Sequence, residues 1–243
     1  MIPPEFEYSK ATSIQDAIAQ LGANEDAKLL AGGHSLLPMM KLRFAEPPHL
    51  IDINGIEELK GIRLDGDTIC IGAMTTDNVL IESEILQLHC PLLVEAARLV
   101  ADPQVRNRGT IGGDVVHGDP GNDHPAVMLA LDATLVLQGP DGERQQPANG
   151  FFLGTYWNDL QEHEILVELR IPVIKQGVGH GYSKLKRKTG DYAVAGSPVV
   201  VELDGEVCSD IRIALTNVAP MALRVEAAES LLRGKVIDDA LIE

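Results

Sequence analysis

Cysteine, positive charge and long apolar runs are all scarce in this sequence, and each scarcity removes a class of protein. Cys70, Cys90 and Cys208 are odd in number and far apart. They offer neither a disulfide framework nor, from this chain alone, a zinc site or an iron–sulfur cluster, and they read as small buried apolar residues. Lys and Arg number 20 against 36 Asp and Glu, a formal net charge of −16, which would repel a nucleic-acid backbone or an anionic membrane surface. No apolar run approaches the roughly 20 residues needed to span a bilayer. Met1 to Phe6 has neither a basic n-region nor an apolar h-region. The expectation is a cytoplasmic protein that partners neither nucleic acid nor membrane.

Several catalytic signatures are missing as well. G-x-x-x-x-G-K-[ST] and G-x-G-x-x-G do not occur, which removes the sequence basis for a P-loop or a dinucleotide-binding Rossmann unit. G-x-S-x-G is absent and no Ser, Thr or Cys sits in a recognisable nucleophile elbow. Carboxylates are too plentiful in so acidic a chain to mark an acid–base pair.

What is present is an α+β pattern in three parts, without internal repeat, low-complexity tract or heptad run. Ser13 followed by Ile14, Ala17, Ile18 and Leu21, with Gly22 behind, has the cap, period and stop of a short helix. Lys28 to Ala31 reads as a buried strand, Leu36 to Met40 as a helical turn or two, and Leu50 to Ile53 as another strand. From Ile62 the texture turns to a hairpin around Asp65-Gly66-Asp67, with Thr68 to Ile71 its second strand. Helices are expected over Thr76 to Leu88, Pro91 to Val100 and Pro125 to Leu131, and a strand over Thr134 to Gln138 before the Pro140-Asp141-Gly142 turn. Ile165, Val167, Leu169 and Ile171 predict a half-buried strand ended by Pro172. Past Gly177 come a strand near Tyr182, a basic run from Lys184 to Lys188, strands over Ser197 to Leu203 and through Ile211, Ile213 and Leu215, and a last helix from Val225 to Leu232. The domains expected are 1–57, 58–176 and 177–243.

Two stretches stand out: Ala31-Gly32-Gly33-His34-Ser35 and Thr110-Ile111-Gly112-Gly113-Asp114. Both set a diglycine in a loop beside short apolar runs. Glycine lets the backbone take positive φ and approach a ligand closely, so successive N–H groups can face anionic oxygens whatever the net charge. Two such loops could grip one diphosphate from both sides. A chain with that pair and no evident acid, base or nucleophile suits a protein whose cofactor does the chemistry. A rival reading takes His117, Asp119, Asp123 and His124 as metal ligands of a metallohydrolase loop, although Pro120 and Gly121 favour a turn there.

Together with "ADPQVRNRGTIGG" and "DPGNDHPAVMLALDA", the two diglycine stretches closely resemble the FAD-binding medium subunit of the molybdenum hydroxylases, the xanthine dehydrogenase and aerobic carbon monoxide dehydrogenase family, and within it most of all the carbon monoxide dehydrogenase branch. The resemblance runs from about residue 2 to the end. It implies a two-part α/β FAD-binding domain of the vanillyl-alcohol-oxidase (PCMH) type followed by a smaller C-terminal α+β domain. It also implies noncovalent FAD, with its diphosphate held by Ala31 through Ser35 and by Thr110 through Gly113. Asp123 is implied on the adenosine half and Tyr192 against the isoalloxazine ring. The implied partners are a large molybdenum-cofactor subunit and a small subunit with two [2Fe–2S] clusters, in a dimer of heterotrimers, with this chain passing electrons through FAD to an external acceptor.

Two departures follow from the comparison of motifs. Asp114 stands where the family commonly has Asn, so its carboxylate is expected to be turned from the diphosphate or protonated. Members also usually run on past the equivalent of Glu243, so the third domain is expected to be truncated here. Gly-Gly-His-Ser resembles, too, the loop of flavin oxidases that bond the flavin covalently, which would make His34 an attachment site. The basic run at Lys184 to Lys188 is open between facing flavin or a partner and being a solvated strand end.

Overall fold

The computed structural model describes residues 2–242. Three sheets succeed one another along the chain. In the first, β1 (Glu7–Lys10), β2 (Lys28–Leu30) and β3 (His49–Asp52) are parallel in the order β1-β3-β2. Parallel neighbours need crossovers. Helix α1 (Ile14–Ala23) and helix α2 (Leu36–Lys41) supply them. The Ser13 hydroxyl caps α1 by accepting the Asp16 amide at 3.0 Å, and Ile14, Ala17 and Ile18 form its buried stripe. β1 carries no sequence signal, because it is a mostly exposed strand with a single neighbour.

The second sheet is antiparallel in the order β4-β5-β10-β6-β7, with β4 (Ile62–Asp65), β5 (Thr68–Gly72), β6 (Thr134–Gly139), β7 (Gly142–Pro147) and β10 (Ile165–Pro172). A two-stranded ribbon, β8 (Phe152–Gly154) and β9 (Trp157–Asn158), lies between β7 and β10 in sequence. Helices α3 (Asp77–Glu82), α4 (Glu84–His89), α5 (Pro91–Leu99), α6 (Pro103–Arg106), α7 (Ile111–His117) and α8 (His124–Ala130) fill the excursion from β5 to β6. The single helix expected over Thr76 to Leu88 is broken at Ser83. That residue leaves helical geometry at ψ 116 and restarts the chain by capping α4, its hydroxyl accepting from the Leu86 amide.

The strand over 165–171 also differs from the simple alternation expected of it. The ladder with β6 shifts register between Leu166 and Glu168, a bulge that flips the phase of the strand. Leu166, Leu169 and Ile171 therefore join the core under α5 and α8 with Ile69, Ile71, Leu135 and Leu137. Ile165 and Val167 join a second core on the opposite face, with Ile14, Ala17, Ile51 and Ile53 of the first unit. The second sheet is thus covered on both faces, and the first unit completes its own small core on it. Each fully buried aliphatic side chain there contributes about 1.5–3 kcal/mol.

The third sheet, β11 (Gly179–Leu185), β12 (Ala195–Asp204), β13 (Val207–Leu215) and β14 (Leu223–Arg224), is antiparallel in chain order. Val200, Ala214 and Ala222 extend the larger core into it. Helices α9 (Glu226–Leu232) and α10 (Asp239–Ile242) follow. Glu229, at 1 % exposure, accepts from the Ile213 amide at 2.8 Å and pairs with Arg224 and Arg233, tying α9 to this sheet. All three cysteines are buried and unpaired. Burial pushes the Cys90 thiol up to about 12, as for a packing residue rather than a nucleophile. Among the described residues no helix is long and apolar enough to cross a membrane.

Candidate functional site

The two diglycine stretches meet. A Cβ on Gly32 would lie 2.3 Å from the Arg108 carbonyl oxygen and 3.0 Å from Gly109 Cα, so only glycine lets the first loop touch the backbone that leads into the second. Gly33 has φ 76, in the left-handed region, which glycine alone enters without strain. On the far side, a Cβ on Gly113 would sit 3.6 Å from Ala31 Cβ. Gly32, Gly33, His34, Ser35, Thr110, Gly112, Gly113 and Asp114 line one cleft of ≈ 980 Å³, open to solvent and bordered farther along by Tyr156, Trp157 and His163.

The two stretches are nevertheless unlike. In the first, the N–H groups of Gly32, Gly33, His34, Ser35 and Leu36 donate to no protein acceptor among the described residues, while the Gly33 and Ser35 carbonyls accept from Leu37 and Met39. In the second, the diglycine is not in a loop: it forms the first turn of α7. Ile111 donates to Thr75 at 3.0 Å, Gly112 to Ala73 at 2.9 Å, and Gly113 to the Thr110 hydroxyl at 3.2 Å. Gly112 is small for packing, since its Cβ would fall 2.5 Å from Ala73 Cβ. Ile111 is fully buried. The expectation that both diglycines present bare amides is corrected here: one offers donors, and the other has used its own to seat a helix.

Asp114 borders the cleft with its carboxylate engaged by protein groups. Its carboxylate accepts from the ring Nδ1 of His124 at 2.8 Å and from the His124 amide at 3.2 Å. His124 is fully buried, and its other ring nitrogen lies 3.5 Å from Asp77, which also borders the cleft. Burial alone would depress the His124 imidazolium, but the Asp114 hydrogen bond and the charges of Asp114, Asp77 and Asp123 outweigh it and lift it to about 9. Burial raises Asp77 to about 7, with His124 pulling the other way.

Asp123 does not face the cleft. It is buried between the third sheet and α8, where it accepts from Lys184 Nζ at 2.6 Å and from the Tyr182 hydroxyl in a short hydrogen bond. Lys184 also reaches the Leu99 carbonyl at 3.1 Å. The basic run is therefore neither a solvated strand end nor turned to the cleft at its first member: Lys184, at 1 % side-chain exposure, is a buried clamp, whereas Arg187 is exposed on Asp191. Gly196 makes room for the clamp, since a Cβ there would meet the Tyr182 hydroxyl at 2.7 Å. Tyr192 is half-exposed, packs over Gly121 and faces the Ser35 hydroxyl from the C-terminal domain. Burial and the nearby carboxylates of Asp119 and Asp114 raise its phenol.

The metal reading does not survive these partners. His117 stacks on Tyr156 with ring centroids 5.0 Å apart. Asp119 accepts from Tyr156 and from the Gly121 amide, Asp123 serves Lys184, and His124 serves Asp114. Among the described residues no three His, Cys, Asp or Glu side chains converge as metal ligands do. The basic run marked Lys184 without its partner, and Asp77 and the Tyr182 hydroxyl had no signal in the sequence, because their significance lies in contacts with residues far away in the chain.

Comparison with known proteins adds to this geometry. Residues 4–174 match the family described as the FAD binding domain in molybdopterin dehydrogenase, and residues 180–243 match the CO dehydrogenase flavoprotein C-terminal domain. The carbon monoxide dehydrogenase medium chain of Hydrogenophaga pseudoflava is 61% identical over 100% of this chain and 85% of its own length. A solved carbon monoxide dehydrogenase from that organism, lacking the Mo-pyranopterin moiety of its cofactor, superposes with a TM-score of 0.98 at 62% identity, over 100% of this chain and 85% of that one. Quinoline 2-oxidoreductase from Pseudomonas putida 86 superposes at 0.94 with 34% identity, over 99% and 84%.

Proposed function

The chain belongs to the family of FAD-binding domains in molybdopterin dehydrogenases, and from that premise we propose that it works as the electron-transfer subunit of a heteromeric molybdenum hydroxylase of the carbon monoxide dehydrogenase kind. The observation that carries the reading is the run of five unengaged amides from Gly32 to Leu36 at the cleft shared with Gly113. Peptide N–H groups without protein acceptors fit the oxygens of a diphosphate, and they do so in a chain whose net charge is −16. The close approach of Gly32 to Arg108 leaves no side chain between the two stretches.

In this reading the first loop binds the diphosphate, Thr110 and Gly113 close its far side, and Tyr192 covers the isoalloxazine from the C-terminal domain. Asp123 acts at one remove, by fixing through Lys184 and Tyr182 the sheet from which Tyr192 extends. When bound, FAD supplies the capacity to take electrons and hand them on, which no side chain at this site has. The chain's own work is to hold and orient. The molybdenum cofactor and the [2Fe–2S] clusters belong to a large and a small partner subunit, arranged as a dimer of heterotrimers in the cytoplasm. The three buried cysteines here suit no cluster.

The test is direct. The purified chain, or its complex, is expected to be yellow and to release FAD into the supernatant on acid precipitation. Colour retained by the precipitate would instead make His34, exposed beside the cleft, a covalent attachment point. Protein that stays colourless after incubation with FAD would refute the assignment.

A further inference from the structure

Two carboxylates lie where a diphosphate would least tolerate them. Asp114 directly follows Gly113, whose backbone abuts Ala31. Asp77 stands behind Gly109, close enough that a Cβ on that glycine would meet its carboxylate at 2.9 Å, and Gly109 in turn touches Gly32. Both acids border the cleft. Between them is one fully buried imidazole, with Asp114 at 2.8 Å on Nδ1 and Asp77 at 3.5 Å on Nε2. Among the described residues, Asp77 Oδ1 and His124 Nε2 have no hydrogen-bond partner.

The remaining charges close the account. Asp123, next to His124 in the chain, is paired with Lys184 and bonded to Tyr182. Arg106 acts on Asp77 from α6. Burial keeps the His117 imidazolium below its ordinary value, against the pull of Asp119 and Asp114. Asp77, Asp114 and Asp123 are thus balanced by Arg106, Lys184 and a charged His124. With His124 neutral, one negative charge stays uncompensated beside the diphosphate site.

We propose that His124 is a positioning residue for the flavin: as a buried cation it holds Asp114 and Asp77 against itself and, with Arg106, balances their charge, so that FAD binding is coupled to proton uptake by this cluster. The inference rests on the FAD reading. The arriving diphosphate is a further pair of negative charges beside the cluster, and like charges drive carboxylate and imidazole towards their protonated forms. By linkage, a proton held more tightly in the complex means FAD bound more tightly at low pH. Affinity is therefore expected to fall as pH rises above the flavin-free values, from about 7 for Asp77 and from about 9 for His124.

The experiment uses the full chain stripped of flavin. FAD affinity is read by fluorescence titration from pH 6 to 10, and proton uptake by calorimetry in two buffers of different ionisation enthalpy. The expected results are a roughly tenfold loss of affinity across that range and net proton uptake near pH 8. Asp114→Asn is expected to flatten the profile. His124→Gln is expected to weaken binding about tenfold at pH 7, and Asp114→Asn in the same chain to restore most of it, a rescue that a merely space-filling histidine would not show. A flat wild-type profile without proton uptake, or a double variant no better than His124→Gln, would overturn the proposal while leaving FAD binding intact. Absence of FAD binding at every pH would overturn both readings. Should His124→Gln fail to fold, equal pH slopes for the wild type and Asp114→Asn overturn the proposal and unequal slopes support it.

Discussion

The first and second diglycines are near-twins in sequence and opposites in structure. Gly32 and Gly33 are small so that a loop can bend into the left-handed region and lie on a neighbouring backbone, leaving five amides unengaged. Gly112 and Gly113 are small so that a helix can start against the Gly72–Ala73 turn, and their amides are consumed in doing it. The same dipeptide supplies donors in one place and close packing in the other. What separates them is whether the surrounding chain provides acceptors, and that is a property of the fold.

The contrast can be broken experimentally, beginning with the second pair. Gly112→Ala would drive a methyl to 2.5 Å from Ala73 Cβ and 2.6 Å from its carbonyl oxygen. A loss of about 3 kcal/mol in urea-unfolding stability of the flavin-free chain is expected, the upper end for overpacking. If the loss is negligible, the helix seat is softer than the geometry implies.

Next in size is a pH effect that belongs to the second region alone. The folded-state value of His124 is raised, so its contribution is complete below pH 6.5 and is lost as pH rises through about 9. Asp77 is also raised, which favours its neutral form, so its contribution disappears as pH rises from 3.8 through about 7. Both act in one direction. Flavin-free protein is expected to lose about 2 kcal/mol between pH 6 and 9.5, read from urea midpoints. Asp114→Asn should shrink that loss, since it removes the negative charge that holds the imidazolium.

Gly33→Ala tests the first region. At φ 76 an alanine costs about 1–2 kcal/mol, and its Cβ would also press on Leu37 at 3.1 Å. FAD affinity should fall together with stability, because the strain is relieved by moving the very amides proposed to bind. Unchanged affinity, measured by flavin fluorescence titration, would mean that the loop's donors are not the diphosphate contacts.

The smallest effect sharpens the comparison from the side of the cap. Thr110→Ala removes the hydroxyl that accepts from Gly113 at 3.2 Å. A stability loss of about 1 kcal/mol is expected in thermal or urea unfolding. The freed Gly113 amide would then be a donor the second region could offer a ligand, so affinity should fall less than in Gly33→Ala.

Much of the architecture is legible without coordinates. The Ser13 cap, the Asp65-Gly66-Asp67 turn and the apolar runs over 68–71 and 134–138 are local signals, and the elements form where those signals sit. The breaks in that legibility share one cause. Val167 and Leu169 look like one face of a strand until a bulge puts them on opposite faces, one against each core. Ser83 reads as an ordinary helix residue until it begins a new helix. Neither a register shift nor a cap that restarts a helix leaves a periodic trace.

The site divides the same way. By itself, the order of residues determined that two glycine pairs exist, that no nucleophile elbow stands out, and that the chain is strongly acidic, because these are statements about composition and spacing. The tertiary structure alone decided that Gly32 meets Arg108, that Asp114 is turned to His124, and that Asp123 is held by Lys184 rather than open to a ligand. Hydrogen-bond acceptors, burial and neighbouring charge come from residues far away in the chain. Whether an amide stays free or a carboxylate stays charged is therefore settled only once folding has brought those residues together.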